Sequence, residues 1–310
     1  MGQLVNGQWS TEDQRRVGSK GEFVRPDSPF RSRISSSSNE YAAESGRYHL
    51  FVNAGCPWAY RTLLYRKLKS LEQHISISLT RSAAGTEGWT FGQEREPLLN
   101  AQHIHDVYTA AEGSFTGRCT VPVLWDKTRQ TIVNNESAEI IRMLNSAFDV
   151  LPGVATADYY PESLREEIDE LNELIYRTVN NGVYRCGFAQ TQTAYEKAYD
   201  ELFDTLDLLD HRLSGQRYLC GESVTEADWR LFATLIRFDM AYYGQFRCNR
   251  NMLQEFTHLW PYTRDLYQHP GVAETVDFDA IKGIYFGSRP PGIVPKGPQI
   301  DFQEPHQRGS

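Results

Sequence analysis

The chain has 310 residues, with 32 lysines and arginines against 40 aspartates and glutamates, for a formal net charge of −8. That length suits two ordinary domains with a substantial core, and the acidic balance argues against nucleic acid or an anionic membrane as the main partner. No apolar run approaches membrane-spanning length and the N-terminus lacks the basic start and apolar core of a signal peptide, so the expected location is the cytoplasm.

Residues 1–46 are polar, contain Pro26, Pro29 and the serine run 35–38, and have no sustained periodicity, so an irregular N-terminal arm is expected there. Met1-Gly2 opens like a myristoylation signal, but Asn6 stands where Ser or Thr is wanted. Tyr48-His-Leu-Phe-Val52 alternates and is rich in aromatic and β-branched residues, which predicts a strand. Trp58 to Leu71 carries apolar residues at helical spacing. Between them Cys56 is expected at the helix N-cap, with Pro57 at the first helical position, where its missing N–H costs nothing. The positive end of the helix dipole and the first-turn amides favour thiolate over thiol at such a position. Ala59 occupies the place of the second cysteine of a Cys-x-x-Cys pair, so any disulfide at Cys56 must involve another molecule's thiol. The alternative, a buried structural cysteine, is the usual fate of free cysteines.

Ile75-Ser-Ile-Ser-Leu79 predicts a second strand, and residues 82–117 read as a loop too long for an ordinary connection, hence functional. Val121-Pro-Val-Leu-Trp-Asp126 and Gln130-Thr-Ile-Val-Asn134 form a predicted hairpin, followed by a helix over 137–146. Asn135-Glu-Ser137 matches a glycosylation sequon, which means nothing without secretion. The order β-α-β, long loop, β-β-α is that of a thioredoxin-like domain.

Past Pro152 the pattern turns helical: 164–180 and 193–213 carry apolar residues three and four apart with acids between, as in a bundle. Thr225 and Asp228 form a capping box with Val224 placed to staple onto Trp229, so Asp228 is assigned to folding. The expected fold class is therefore α/β plus all-α. Its parts are an arm at 1–46, a thioredoxin-like domain at 47–152, an all-helical domain at 153–284 and an extended tail at 285–310. Five cysteines, 56, 119, 186, 220 and 248, are odd in number and lack metal-ligand spacing, so they read as free thiols in a reducing compartment.

Cys56-Pro-Trp-Ala59, Gly88-Trp-Thr-Phe91, Thr120-Val-Pro-Val-Leu-Trp-Asp-Lys127, Ile132-Val-Asn-Asn-Glu-Ser137 and Arg237-Phe-Asp239, in this order, resemble the glutathionyl-hydroquinone reductases, the Xi class of glutathione transferases. The resemblance spans roughly residues 20–298. It implies a homodimer that binds glutathione in its N-terminal domain as a co-substrate, uses no metal or flavin, and removes glutathione reductively from glutathionyl-hydroquinones. Neither nucleic acid nor membrane is implied as a partner.

The residues fit that implication. A Pro122 after Val121 at a strand start suggests a cis peptide in a tight turn, whose Val121 N–H and C=O pair with an extended peptide such as the cysteinyl part of glutathione. The plain alternative is an edge-strand proline. Glu136 and Ser137 at a helix N-terminus offer a carboxylate for the γ-glutamyl ammonium and a hydroxyl and amides for its carboxylate; simple capping is the alternative. By resemblance Trp89 covers the glutathione, and Arg118 pairs with the glycyl carboxylate. Tyr184, Tyr242 and Tyr285 match family positions around the aromatic substrate, where phenols hydrogen-bond a hydroquinone oxygen and supply a proton. The chain departs from the family at Ile284, Phe286 and Gln245 and has a shortened stretch between Ser288 and Ile293, all at the acceptor pocket, so substrate range is where it is expected to differ. Rival functions are a glutaredoxin-like thiol transferase or dehydroascorbate reductase, which needs Cys56 but no aromatic pocket; a conjugating transferase, for which no activating Ser or Tyr is evident; and a non-catalytic interaction module.

Overall fold

A computed structural model of the chain describes residues 2–12, 17–36, 38–81, 86–287 and 292–309, and it falls into two compact units. The first unit comprises 1–14, 27–157 and 275–294; the second comprises 15–26, 158–274 and 295–310. The stretch shortened relative to the family lies largely outside the described residues.

The first unit is built on a four-stranded sheet. Its strands are β3 (Tyr48–Val52), β4 (Ile75–Leu79), β5 (Val123–Asp126) and β6 (Thr131–Asn134), in the order β4-β3-β5-β6. β3 pairs parallel with β4 and antiparallel with β5, and β5 pairs antiparallel with β6, the thioredoxin-like arrangement. β3 is central and covered on both faces, so all five of its residues are buried although its sequence alternates. At the edge, β4 leaves Leu79 half exposed. Helices α1 (Pro57–Leu68) and α3 (Ser137–Ser146) pack side by side. Phe51 meets Trp125 and, from the long loop, Phe91 edge to face at 6.3 and 5.9 Å.

The arm and the loop differ from expectation. The arm opens with a two-stranded hairpin, β1 (Gln3–Val5) and β2 (Gln8–Ser10), too short for strand periodicity to register in the sequence. The long loop contains a helix, α2 (Ile104–Ala111), capped at both the side chain and backbone of His103 with Asp106. His103 is an unusual cap residue, and this hid the helix start.

In the second unit α4 (Arg165–Ile175), α5 (Gly182–Phe188), α6 (Gln192–Arg212), α7 (Glu226–Leu235), α8 (Tyr243–Gln245) and α9 (Leu259–Gln268) form the expected helical bundle. Every residue of α7 is buried. α10 (Phe278–Lys282) belongs to the first unit. Three π-helical turns occur among the described residues, at Tyr176–Asn180, Phe238–Tyr242 and Gly283–Gly287. Such turns concentrate at functional sites, and the last corrects the expectation of an extended tail from Tyr285: that residue sits inside a turn. No helix among the described residues is long and apolar enough to cross a membrane.

Candidate active site

Cys56 is the N-cap of α1, with extended backbone (φ −73°, ψ 122°) and Pro57 in the first turn. Its buried Sγ donates to the Val121 carbonyl oxygen at 3.9 Å, and the Val121–Pro122 peptide is cis. The thiol thus occupies the helix start as expected but makes no side-chain capping bond to the helix. Position rather than a cap bond brings it under the helix dipole.

Asn53, which the sequence reading left without a role, shapes this turn. Its Oδ1 accepts the N–H groups of Gly55 (2.9 Å) and Cys56 (3.2 Å), and its Nδ2 donates to Thr80 O (2.8 Å) at the end of β4. An Asx turn of this kind is the local signal that identifies such a residue. Gly55 is constrained by close approach: a Cβ there would lie 2.3 Å from Ala280 O and 3.1 Å from Ile284 Cγ2. Ile284 therefore packs one residue from Cys56.

Glu136 caps α3. Its Oε1 accepts Ala138 N–H (3.1 Å), and its Oε2 accepts the Ser28 hydroxyl (3.0 Å). The capping role weighed for it in the sequence is real, and Ser28 of the arm is a second residue not foreseen. Ser137 is buried, and its Oγ accepts Arg61 Nη1 at 3.4 Å, a third. Tyr108 braces the segment leading to Val121: its hydroxyl donates to Thr120 O (2.9 Å) and accepts from Thr120 N (3.2 Å) and Asn135 Nδ2 (2.9 Å). Burial pushes this phenol up to about 12.

Trp89 is buried in the long loop, and its carbonyl accepts Ile104 N–H at 2.9 Å. Arg118 is half-buried. Cys56, Val121 and Pro122 are thus in one place, with Glu136 and Ser137 at the start of the helix beside α1. In the second unit Tyr184 and Tyr242 come together, ring centroids 6.1 Å apart, with Phe246 at 5.2 and 5.5 Å from each. Arg25 lies over the Tyr184 ring at 4.9 Å and its Nε donates to Asn181 Oδ1 at 2.9 Å. Tyr285 is buried in the first unit.

All five cysteines are buried, and none forms a disulfide. Burial raises the thiols of Cys119 and Cys248 well above the ordinary range and that of Cys220 to about 11, which makes them poor nucleophiles. For a metal, His103, His105 and Asp106 are the described group whose donor atoms come within 4.8 Å of one another. Their imidazoles lie near-parallel (13°, centroids 4.9 Å apart), so the in-plane lone pairs run side by side and do not converge on one point. Asp106 is engaged as a cap, accepting the N–H groups of Gln102 (2.8 Å) and His103 (2.9 Å). Burial opposes its ionisation, but the His105 ring and these N–H groups hold its carboxyl well below the usual range.

The models of the glutathione S-transferase N-terminal and C-terminal domains match residues 55–147 and 192–268. The chain is 45% identical to the glutathionyl-hydroquinone reductase YqjG of Escherichia coli, over 99% of this chain and 98% of that protein. The glutathione-bound structure of the E. coli protein superposes with a TM-score of 0.90 at 43% identity, covering 99% of both chains. The Xi-class glutathione transferase from Natrialba magadii gives a TM-score of 0.90 at 42% identity, over 99% of this chain and 96% of that one.

Proposed function

The chain belongs to the Xi class of glutathione transferases, the glutathionyl-hydroquinone reductases, and on that premise we propose that it reduces glutathionyl-hydroquinones to hydroquinones through Cys56. The observation that carries this reading is the Cys56 sulfur at the N-terminus of α1, 3.9 Å from the Val121 carbonyl beside a cis-proline. A helix N-terminus stabilises a developing thiolate, and the polar backbone of such a turn pairs with the cysteinyl residue of a bound peptide.

In the first step the Cys56 thiolate attacks the sulfur of the glutathionyl-hydroquinone. A sulfur–sulfur bond forms, the carbon–sulfur bond breaks, and the departing aromatic carbon takes a proton. Tyr184, Tyr242 and Tyr285 bind the hydroquinone oxygens and supply that proton. In the second step the thiolate of free glutathione attacks the mixed disulfide, releasing oxidised glutathione and restoring Cys56. Trp89 covers the bound glutathione. Glu136 and Ser137 hold its γ-glutamyl end, and Arg118 holds its glycyl carboxylate. Residues 47–152 form the glutathione-binding domain and 153–284 the all-helical substrate domain, in a cytoplasmic homodimer that needs no metal or flavin.

The test is steady-state reduction of a glutathionyl-hydroquinone by wild type and Cys56→Ser, with a dialkyl disulfide run alongside at the same glutathione concentration. Strong activity on the aromatic thioether, lost in a folded Cys56→Ser, is expected. Activity confined to the disulfide would move the assignment to a glutaredoxin-like transferase, and substantial reductase activity in Cys56→Ser would refute the thiol mechanism.

A further inference from the structure

The N-terminal hairpin is fastened along two separate parts of the chain. On one side Leu4 exchanges backbone hydrogen bonds with Gly117 (2.9 and 3.0 Å), and Gly7 N–H reaches Phe115 O (2.9 Å). Asn6 N–H adds a bond to Thr116 Oγ1 at 2.8 Å. On the other side Trp9 reaches the loop that carries Trp89. Its Nε1 donates to Thr86 O at 3.1 Å, and its ring stacks on His105 with centroids 4.5 Å apart at 20°. The indole edge also lies against Gly88: a Cβ there would come 3.1 Å from Trp9 Cη2, and Gly88 has φ +73°, a conformation that itself favours glycine.

From this we infer that Trp9 is a positioning residue: through Thr86 and Gly88 it holds the Trp89 loop, while the rest of the hairpin holds 115–117, the approach to Arg118 and Val121. The inference rests on the proposed role of Trp89 and extends it, since Trp9 acts through Thr86, Gly88 and His105. The physical basis is that residues 86–88 carry no helix or strand of their own, so an added aromatic stack and an indole hydrogen bond restrict the conformations available to them before glutathione arrives. Past Trp89 the loop is held independently, by the Trp89 O to Ile104 N bond and the Thr90–His103 bridge. On the near side the Arg81–Thr90 bridge and the His105–Glu87 pair at 3.7 Å also act, and Trp9 adds its restraint at 86 and 88.

Trp9→Ala is expected to raise the KM for glutathione about tenfold, the size of one lost aromatic contact, while kcat at saturating glutathione stays near wild type. Trp9→Phe, which keeps an aromatic ring to stack on His105 but loses the Nε1 donor and the indole edge at Gly88, recovers part of the loss. Backbone amides of 86–92 exchange hydrogen faster in Trp9→Ala, and those of β3 and α1 do not. An unchanged KM, equal losses in the Ala and Phe variants, or unchanged exchange at 86–92 would overturn the inference. If wild type itself fails to reduce a glutathionyl-hydroquinone, the functional reading fails. The glutathione Kd of wild type and Trp9→Ala, with the exchange data, then decides the positioning role by the same criteria.

Discussion

The Asn53 side-chain oxygen accepts the backbone N–H of Cys56 at 3.2 Å, so a residue at the end of β3 fixes the backbone that carries the Cys56 thiol at the start of α1. The same side chain ties Gly55 and Thr80. Asn53→Ala removes two acceptor contacts and one donor from a buried turn, with an expected loss of about 2 kcal/mol of stability. Alkylation of Cys56 by iodoacetamide should slow several-fold as the thiol loses its place at the helix start. Thermal melts and alkylation rates check this; a variant with wild-type values in both would show that the turn holds without its Asx bond.

Tyr108→Phe deletes a buried hydroxyl that joins Thr120 to Asn135. The Thr120 N–H and the Asn135 amide lose their shared acceptor, at a cost of about 1–3 kcal/mol. Because Thr120 precedes Val121 and Asn135 precedes Glu136, the KM for glutathione should rise more than kcat falls. Denaturant titration together with steady-state kinetics separates the two effects, and a lower midpoint with unchanged KM would confine Tyr108 to stability.

His49 gives the fold an acid sensitivity. Its ring nitrogens lie 2.8 Å from Ser76 Oγ and 3.0 Å from Ser78 Oγ, and Ser78 Oγ donates to the buried Glu96 at 2.8 Å. Burial lowers its pKa from 6.5 to about 4, with nearby Glu96 opposing the shift. The unfolded chain therefore binds this proton more readily than the native one between those values. Stability is full above pH 6.5 and is lost as pH falls toward 4, by up to about 3 kcal/mol. Urea midpoints of wild type between pH 7 and 4 should fall more steeply than those of His49→Gln; parallel curves would remove His49 as the cause.

Asp228 accepts four hydrogen bonds in the buried core of the second unit, from Thr225 N (2.7 Å), Thr225 Oγ1 (2.8 Å), Leu219 N (2.8 Å) and Tyr262 OH (2.7 Å). An amide has one acceptor oxygen where the carboxylate has two, so Asp228→Asn leaves part of this set unmet and costs about 3 kcal/mol. Refolding yield and melting temperature should drop while kcat per folded molecule is kept. A selective loss of kcat in well-folded protein would instead place Asp228 in the chemistry.

The strands at 48–52 and 75–79, the helix start at Pro57 with Cys56 as its N-cap, and the capping box at Thr225 and Asp228 were all legible in the sequence. Each is written in neighbouring residues: side-chain alternation, a proline at a helix start, a cap three residues from its partner. The hairpin at 3–10, the helix at 104–111 and the contacts of Asn53, Ser28, Arg61, Tyr108 and Trp9 were not. The contacts of Ser28, Arg61, Tyr108 and Trp9 depend on partners far along the chain, such as Trp9 with Thr86 or Ser28 with Glu136, and a periodicity within one segment carries no record of what another segment will lay against it. Local sequence determined the main strands and helices of both units and which thiol starts a helix. Only tertiary packing decided what holds that thiol and its surrounding loops, because those restraints exist only once segments distant in sequence are folded together.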